Sequence, residues 1–221
     1  MEDSEILKRV DHTLLKAVSS WADIQKLCEE AIQFGTASVC VPPAYVHRIR
    51  EAFGDQLVIC TVIGFPLGYS TREAKLSETR QALAEGANEL DMVINLGDVK
   101  NGDLDAVQEE IAALKEAAGD RILKVIIETC YLTETEKIFL CQCVTDAGAD
   151  YIKTSTGFGA AGATLEDVEL FKKHLGPKVK IKAAGGIRSR EDMVRFLQAG
   201  AERLGTSSAI KLLEEQISNQ Y

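Results

Sequence analysis

ALAEGANELDMVI, residues 82–94, joins an amphipathic run to a short apolar run across a glycine. The first part has the spacing of a helix, Gly86 is the residue at which that helix stops, and the second part is long enough for one strand. The same order recurs as AIQFG–TASVCV (31–41), EAFG–DQLVICTVI (51–63), KEAAG–DRILKVII (115–127), VTDAG–ADYIKTS (144–155), KKHLG–PKVKIKAA (172–184) and FLQAG–AERLGT (196–206). Gly35, Gly54, Gly86, Gly119, Gly148, Gly176 and Gly200 are expected at positive φ, where a helix ends without a Cβ clash. These transitions give strands two to eight, and the apolar segment Val10 to Leu14 supplies the first. Short strands alternating with longer helices predict parallel βαβ units with right-handed crossovers. Eight such units predict an α/β chain folded as a single-domain (β/α)8 TIM barrel over residues 1–221. The competitor, a doubly wound open sheet, needs fewer strands and a glycine-rich turn after the first. DHTLLK (11–16) stands where that turn would be.

Composition narrows the function. Of 221 residues, 46% are hydrophobic and 27% charged, with 17 glycines and 4 prolines, which excludes collagen-like, disordered and disulfide-scaffold chains. A chain of this length buries roughly 70% of its extended surface, enough for a large core. Lys and Arg number 25 against 34 Asp and Glu, a net charge of −9. Neither nucleic acid nor an anionic membrane is an expected partner, although one basic pocket can still hold an anion. Glu2, Asp3, Glu5 and Asp11 do not read as a secretory signal, and no apolar run approaches the roughly 18 residues of a membrane span. Six cysteines (28, 40, 60, 130, 141, 143) lie in apolar segments without metal-ligand spacing and read as buried thiols of a reducing, cytoplasmic compartment.

Charged residues that interrupt buried strands carry the chemistry. Asp91 interrupts strand four, Lys124 strand five, Lys153 strand six, and Lys182 strand seven just before a double glycine. A charged lysine buried there costs several kcal/mol unless paired or neutralised. Barrel catalytic groups come from the C-terminal ends of several strands, and Lys153 and Lys182 end neighbouring ones. Two adjacent ammonium groups repel, which pushes one lysine toward the neutral amine. An ordinary lysine leaves only on the order of one molecule in 10³ neutral at pH 7, and a drop of about three pKa units supplies most of the missing nucleophile. A neutral amine attacking a carbonyl gives a Schiff base, an electron sink for cleaving the adjacent C–C bond, with Asp91 placed to move protons. Plainer readings stand beside these. Lys178, Lys180 and Lys182 are also readable as one charged strand face, Asp91 as an interior polar residue, and Lys124 with Glu128 as an internal ion pair.

AAGGIRS (Gly185, Gly186) and LGTSSAIK (Gly205, Ser207, Ser208) follow strands seven and eight, where barrels of this kind hold phosphate on backbone N–H groups and a helix N-terminus. Each alone also reads as a turn with an N-cap serine. KTSTG adds Thr156 and Gly157 as donors from strand six. His12, His47 and His174 form no ligand spacing, so no metal and no cofactor is expected, and His12 reads as a structural residue of strand one. Cys141 and Cys143 point apart on a helix. Cys40 is open to two readings, pocket lining or small core residue.

DHTLL (11–15), SVCVPP (38–43), TVIGFPLG (61–68), ELDMVIN (89–95), KVIIET (124–129), YIKTSTGF (151–158), IKAAGGIR (181–188) and LGTSS (204–208) together resemble the bacterial deoxyribose-phosphate aldolase family, in order and over nearly the whole chain. The resemblance implies a class I aldolase that reversibly cleaves 2-deoxy-D-ribose 5-phosphate to acetaldehyde and D-glyceraldehyde 3-phosphate. It implies Lys153 as the Schiff-base lysine, Lys182 as the lysine that perturbs it and Asp91 as the proton-transferring aspartate. Asp11, Thr13, Cys40 and Lys124 match pocket residues, while Thr156, Gly157, Gly185, Gly186, Ser207 and Ser208 match substrate or phosphate contacts. Its partners are small phosphorylated sugars and aldehydes, and a homo-oligomer, dimer or tetramer, is expected. The chain departs from some members at Phe158, where they carry a lysine, which leaves more of the phosphate to backbone amides. Alternatives are a transaldolase-like Schiff-base barrel and a non-catalytic phosphosugar-binding barrel. Some members end in a tyrosine. Tyr221 is expected to reach the pocket as a proton relay only if the last helix ends near Leu213 and the tail folds back.

Overall fold

The computed structural model describes residues 1–218. Strands β1 (Val10–Thr13), β2 (Ser38–Val41), β3 (Ile59–Ile63), β4 (Glu89–Val93), β5 (Ile122–Ile126), β6 (Tyr151–Lys153), β7 (Lys180–Ala184) and β8 (Arg203–Thr206) pair in chain order, all parallel. β8 pairs back onto β1, Val10 with Leu204 and His12 with Thr206, and so closes the barrel. No open sheet edge is left among the described residues.

Period-two alternation divides each strand between two environments. Val39, Val41, Ile59, Ile63, Leu90, Met92, Leu123, Val125, Ile152 and Ile181 face outward and form one core with the surrounding helices. The intervening residues face the barrel axis. Cys40, Cys60 and Val62 make a small apolar patch there, packed by Leu15 and Phe65, and the remaining inward residues are largely charged.

The helices are α1 (Asp3–Leu7), α2 (Trp21–Phe34), α3 (Val46–Phe53), α4 (Arg72–Ala84), α5 (Leu96–Asn101), α6 (Leu104–Ala118), α7 (Glu134–Asp146), α8 (Leu165–His174), α9 (Arg190–Ala199) and α10 (Ala209–Ser218). Ser20, Thr71, Asp103, Thr133, Thr164 and Ser189 each accept a backbone N–H in the first turn of the helix they precede. These caps lie on the β-to-α side, so the helix N-termini ring the C-terminal mouth of the barrel. Two helices exceed the eight-unit pattern: α1 precedes β1 and buries Ile6 and Leu7, and α5 shares the β4 crossover with α6.

The glycine reading fails once. Gly35, Gly54, Gly86, Gly119, Gly148 and Gly200 have positive φ, whereas Gly176 does not. A Cβ on Gly176 would lie 2.4 Å from Thr145 Cγ2, so close packing of this loop on α7 keeps the position small. The last helix continues to Ser218, past the Leu213 at which the tail would have had to leave it; Tyr221 lies outside the described residues. Among the described residues no helix is long and apolar enough to cross a membrane.

Candidate active site

β4, β5, β6 and β7 bring Asp91, Lys124, Lys153 and Lys182 together inside the barrel. Register sets this directly: Asp91 pairs with Lys124, and Lys153 with Lys182, on adjacent strands. Asp91 Oδ2 accepts from Lys153 Nζ at 2.8 Å and from Lys182 Nζ at 2.6 Å, while Oδ1 accepts from Lys124 Nζ at 2.8 Å. The two lysines that the sequence places side by side are thus bridged by one carboxylate oxygen. Lys182 also reaches Asp11 Oδ2 at 2.5 Å, and Asp11 is fixed by Ser38 Oγ at 2.7 Å and Arg203 Nη1 at 2.5 Å. Arg203 and Lys124 share Glu89, at 2.9 Å and 2.7 Å.

Asp11, Glu89 and Asp91 therefore face Lys124, Lys153, Lys182 and Arg203, and full ionisation leaves one positive charge unpaired. Burial alone would raise Asp91, but the ammonium groups of Lys124, Lys153 and Lys182 hold it well below the usual carboxylate range. Burial likewise opposes a charge on Lys182, and Asp11 with Asp91 overcomes it and raises its pKa. Lys124 is raised in the same way against burial, chiefly by Asp91. Lys182 and Lys124 are fixed cations, each on more than one carboxylate, whereas Lys153 has a single carboxylate contact.

Lys153 is also the member of this cluster that lines a cavity at the barrel mouth. A cavity of about 300 Å³ at the mouth is lined by Lys153, Thr13, Thr156, Gly157, Gly185, Gly186, Ser207 and Ser208. That volume suits a small polar ligand. Gly185 and Gly186 both have positive φ, a backbone that side chains strain, and a Cβ on Gly162 would meet Gly185 C and O at 2.3 Å. Ser208 O accepts from Leu212 N at 2.9 Å, so Ser207 and Ser208 lead into the first turn of α10 and its N-terminal dipole. Thr13 Oγ1 donates to its neighbour Asp11 O at 2.7 Å. A larger cleft of about 340 Å³ between α7 and α8 contains the Lys137–Asp167 pair at 2.6 Å but no strand-end group.

Three residues matched to the pocket do not line the cavity. Asp11, Cys40 and Lys124 are fully buried, and Asp11 and Lys124 contact the charged side chains beneath Lys153. Cys40 packs with Cys60, whose thiol lies 3.2 Å from Asp91 Oδ1. A Lys124–Glu128 ion pair is not formed: Lys124 points to Glu89 and Asp91, while Glu128 accepts from Thr156. His12 Nε2 pairs with Glu30 at 2.8 Å, outside this cluster. Cys40, Cys60 and Asp91, or Asp11, Cys60 and Glu89, come close enough to ligate one cation. Their carboxylates already hold ammonium and guanidinium groups, which a metal ion would have to displace.

Glu89, Arg203 and Lys16 were missed in the sequence. Glu89 stands two residues before Asp91, so the alternation that turns Asp91 inward also turns Glu89 inward. Arg203 has the same relation to Gly205, at which a Cβ would lie 3.1 Å from Lys182 Cε. Lys16 follows DHTLL and lines the cavity from the β1 side.

Residues 6–213 match the DeoC/LacD family aldolases. The chain belongs to the DeoC/LacD aldolase family. Within the family's relatives, a deoxyribose-phosphate aldolase of Clostridium botulinum (strain Alaska E43 / Type E3) is 63% identical over 221 residues, covering all of both chains. That of Clostridioides difficile (strain 630) is 56% identical over 216 residues, 98% of this chain and 99% of the relative. Among solved structures, the deoxyribose phosphate aldolase of Aeropyrum pernix, described as uniquely tetrameric, superposes with a TM-score of 0.89 at 33% identity, covering 99% of this chain and 93% of that one.

Proposed function

We propose that this aldolase works by Schiff-base chemistry and reversibly cleaves 2-deoxy-D-ribose 5-phosphate to acetaldehyde and D-glyceraldehyde 3-phosphate. The observation that carries the reading is the placement of Lys153, at the floor of the cavity and on one carboxylate shared with a fixed cation. The nucleophile is its free amine. Lys182 is held as a cation by Asp11 and Asp91, and the cluster has one cation more than its carboxylates can pair. The amine attacks C1 of the open-chain sugar, and loss of water from the carbinolamine gives the iminium. The C2–C3 bond then breaks, its electron pair enters the enamine, and the C3 hydroxyl loses its proton as the second aldehyde forms. Protonation of the enamine at C2 and hydrolysis return acetaldehyde and the free lysine. Asp91 Oδ2, 2.8 Å from Lys153 Nζ and 2.6 Å from Lys182 Nζ, is the station through which these protons pass.

Gly185–Gly186, Ser207–Ser208 and Thr156–Gly157 receive the phosphate, with the α10 N-terminus behind the serines and Lys16 as the cation at the rim. A homo-oligomer, dimer or tetramer, belongs to the same reading and is supported by the tetrameric relative. A cytoplasmic location is supported by the free thiols.

Borohydride reduction in the presence of acetaldehyde, followed by peptide mapping, tests the proposal. An ethyl adduct on the peptide containing Lys153 is expected. An adduct mainly on Lys124 or Lys182 would overturn the assignment.

A further inference from the structure

Glu128 follows β5 and is buried, yet the catalytic cluster does not use it. Its backbone lies in the left-handed region (φ 50, ψ 67), the one non-glycine residue at positive φ among the described residues. Backbone bonds flank it on both sides: Ile127 N donates to Lys153 O at 3.1 Å, and Thr129 N donates to Thr154 O at 2.9 Å. The β5–β6 pairing thus continues past Glu128, whose own residue is turned out of it. A strained backbone of this kind persists where its surroundings fix it, and here it aims the carboxylate at the segment after Lys153.

Both carboxylate oxygens are taken by one residue. Oε1 accepts from Thr156 N at 3.1 Å, and Oε2 accepts a short bond from Thr156 Oγ1. Thr156 Oγ1 in turn accepts from Phe158 N at 3.0 Å. The chain then runs tightly over the carboxylate, since a Cβ on Gly159 would lie 3.0 Å from Glu128 Cδ. Among the described residues no cation pairs with Glu128. Its carboxylate borders a recess of about 50 Å³, and Thr156 and Phe158 separate that recess from the substrate cavity. Glu128 therefore stands behind the segment that meets substrate.

We propose that Glu128 is a positioning residue that sets Thr156, Gly157 and Phe158 for the phosphorylated end of the substrate, and that the task requires a carboxylate. This rests on the reading that Thr156–Gly157 meets the phosphate. Thr156 presents two donors, and a carboxylate is acceptor-only at both oxygens. A glutamine of the same shape keeps one acceptor and turns an NH2 toward a hydroxyl already engaged by Phe158 N–H.

The test compares Glu128→Gln with wild type in three readouts. The KM for deoxyribose 5-phosphate should rise at least tenfold, while that for unphosphorylated deoxyribose and acetaldehyde trapping at Lys153 stay within twofold. Amide hydrogen exchange should quicken at Thr156 and Phe158, a readout independent of activity, with the thermal midpoint nearly unchanged. Thr156→Val, which removes the hydroxyl link, should quicken exchange at Phe158 in the same way, and adding Glu128→Gln should cost little more. Unchanged exchange at Thr156 and Phe158 overturns the inference. So do equal losses on both sugars with a lowered midpoint, the mark of a purely structural residue. Absence of trapping in the wild type instead defeats the Schiff-base reading and leaves the exchange result to decide the role of Glu128.

Discussion

Two of the buried charge clusters of the molecule behave oppositely. In the barrel interior, attraction between Asp11, Asp91, Lys124 and Lys182 outweighs burial, so the carboxylates titrate low and these lysines high. In the outer layer, Lys75 Nζ meets Glu110 Oε1 at 2.7 Å, yet burial outweighs their attraction: the pKa of Lys75 is lowered and that of Glu110 raised. The difference is the number of partners. Each fixed interior cation touches at least two carboxylates, whereas Lys75 has one carboxylate and the Val93 carbonyl at 2.8 Å. A network of that kind keeps its resting charges; a lone pair is a local packing device.

Breaking the network at Lys182 should have the largest effect. Lys182→Met removes the fixed cation that shares Asp91 Oδ2 with the nucleophile, and the rate should fall by about tenfold or more. Kinetics from pH 5 to 10 check it, and an unchanged rate would reject the role of Lys182. Asp11 and Asp91 give no acid sensitivity in that range. Lowered folded pKa values supply stability that is present above the unfolded carboxylate pKa and lost only as pH falls through the folded value. The raised Lys182 contributes fully below its unfolded pKa and loses that contribution only as pH rises through its folded one.

The strand-end lysines and Asp91 were legible because a charge inside a run of Val and Ile has few benign explanations. The glycine-to-strand repeat was legible because it recurs, and the barrel follows from its count. Glu89 and Arg203 were not, because both stand at strand starts, where a charge normally reads as a loop residue. Depth was also invisible: Asp11, Lys124 and Cys40 share a strand pattern with cavity residues but lie beneath them, and only the register separates the two levels.

Gly162 sharpens the contrast at the phosphate end, where close backbone packing against Gly185 sets the shape of the loop. Gly162→Ala must displace Gly185, since its Cβ would fall 2.3 Å from Gly185 C and O. The KM for deoxyribose 5-phosphate should rise about tenfold, with that for unphosphorylated deoxyribose nearly unchanged, because the neighbouring Gly186 amide moves away from the phosphate. Equal changes on both sugars would count against a phosphate-specific role. Lys16→Met should act more weakly, about three- to fivefold on the same KM. Exposed charge pairs are screened, so the difference from wild type should shrink as salt is raised. A salt-independent difference would exclude a direct charge contact.

The smallest effect on activity belongs to the outer pair. Glu110→Leu alone strands a buried ammonium and should cost about 3–5 kcal/mol of stability. Lys75→Met with Glu110→Leu removes both charges and the desolvation they cost, which favours the variant. It also leaves Val93 O and Asn95 N without their present partners at 2.8 Å and 3.3 Å, which opposes it at about 1–3 kcal/mol each. These contributions nearly cancel, so the double variant should fall within about 2 kcal/mol of wild type, recovering much of the single-variant loss. The pH dependence carries the sign. Because Glu110 is raised in the folded state, wild-type stability from this group falls as pH rises from the unfolded carboxylate value through the folded one. Because Lys75 is lowered, its contribution recovers as pH rises from its folded value toward 10.5. The double variant should lose both slopes in urea titrations across that range while retaining wild-type turnover. If the double variant were as unstable as Glu110→Leu, or lost activity while folded, the outer pair would be part of the working network and the contrast between the two regions would be wrong.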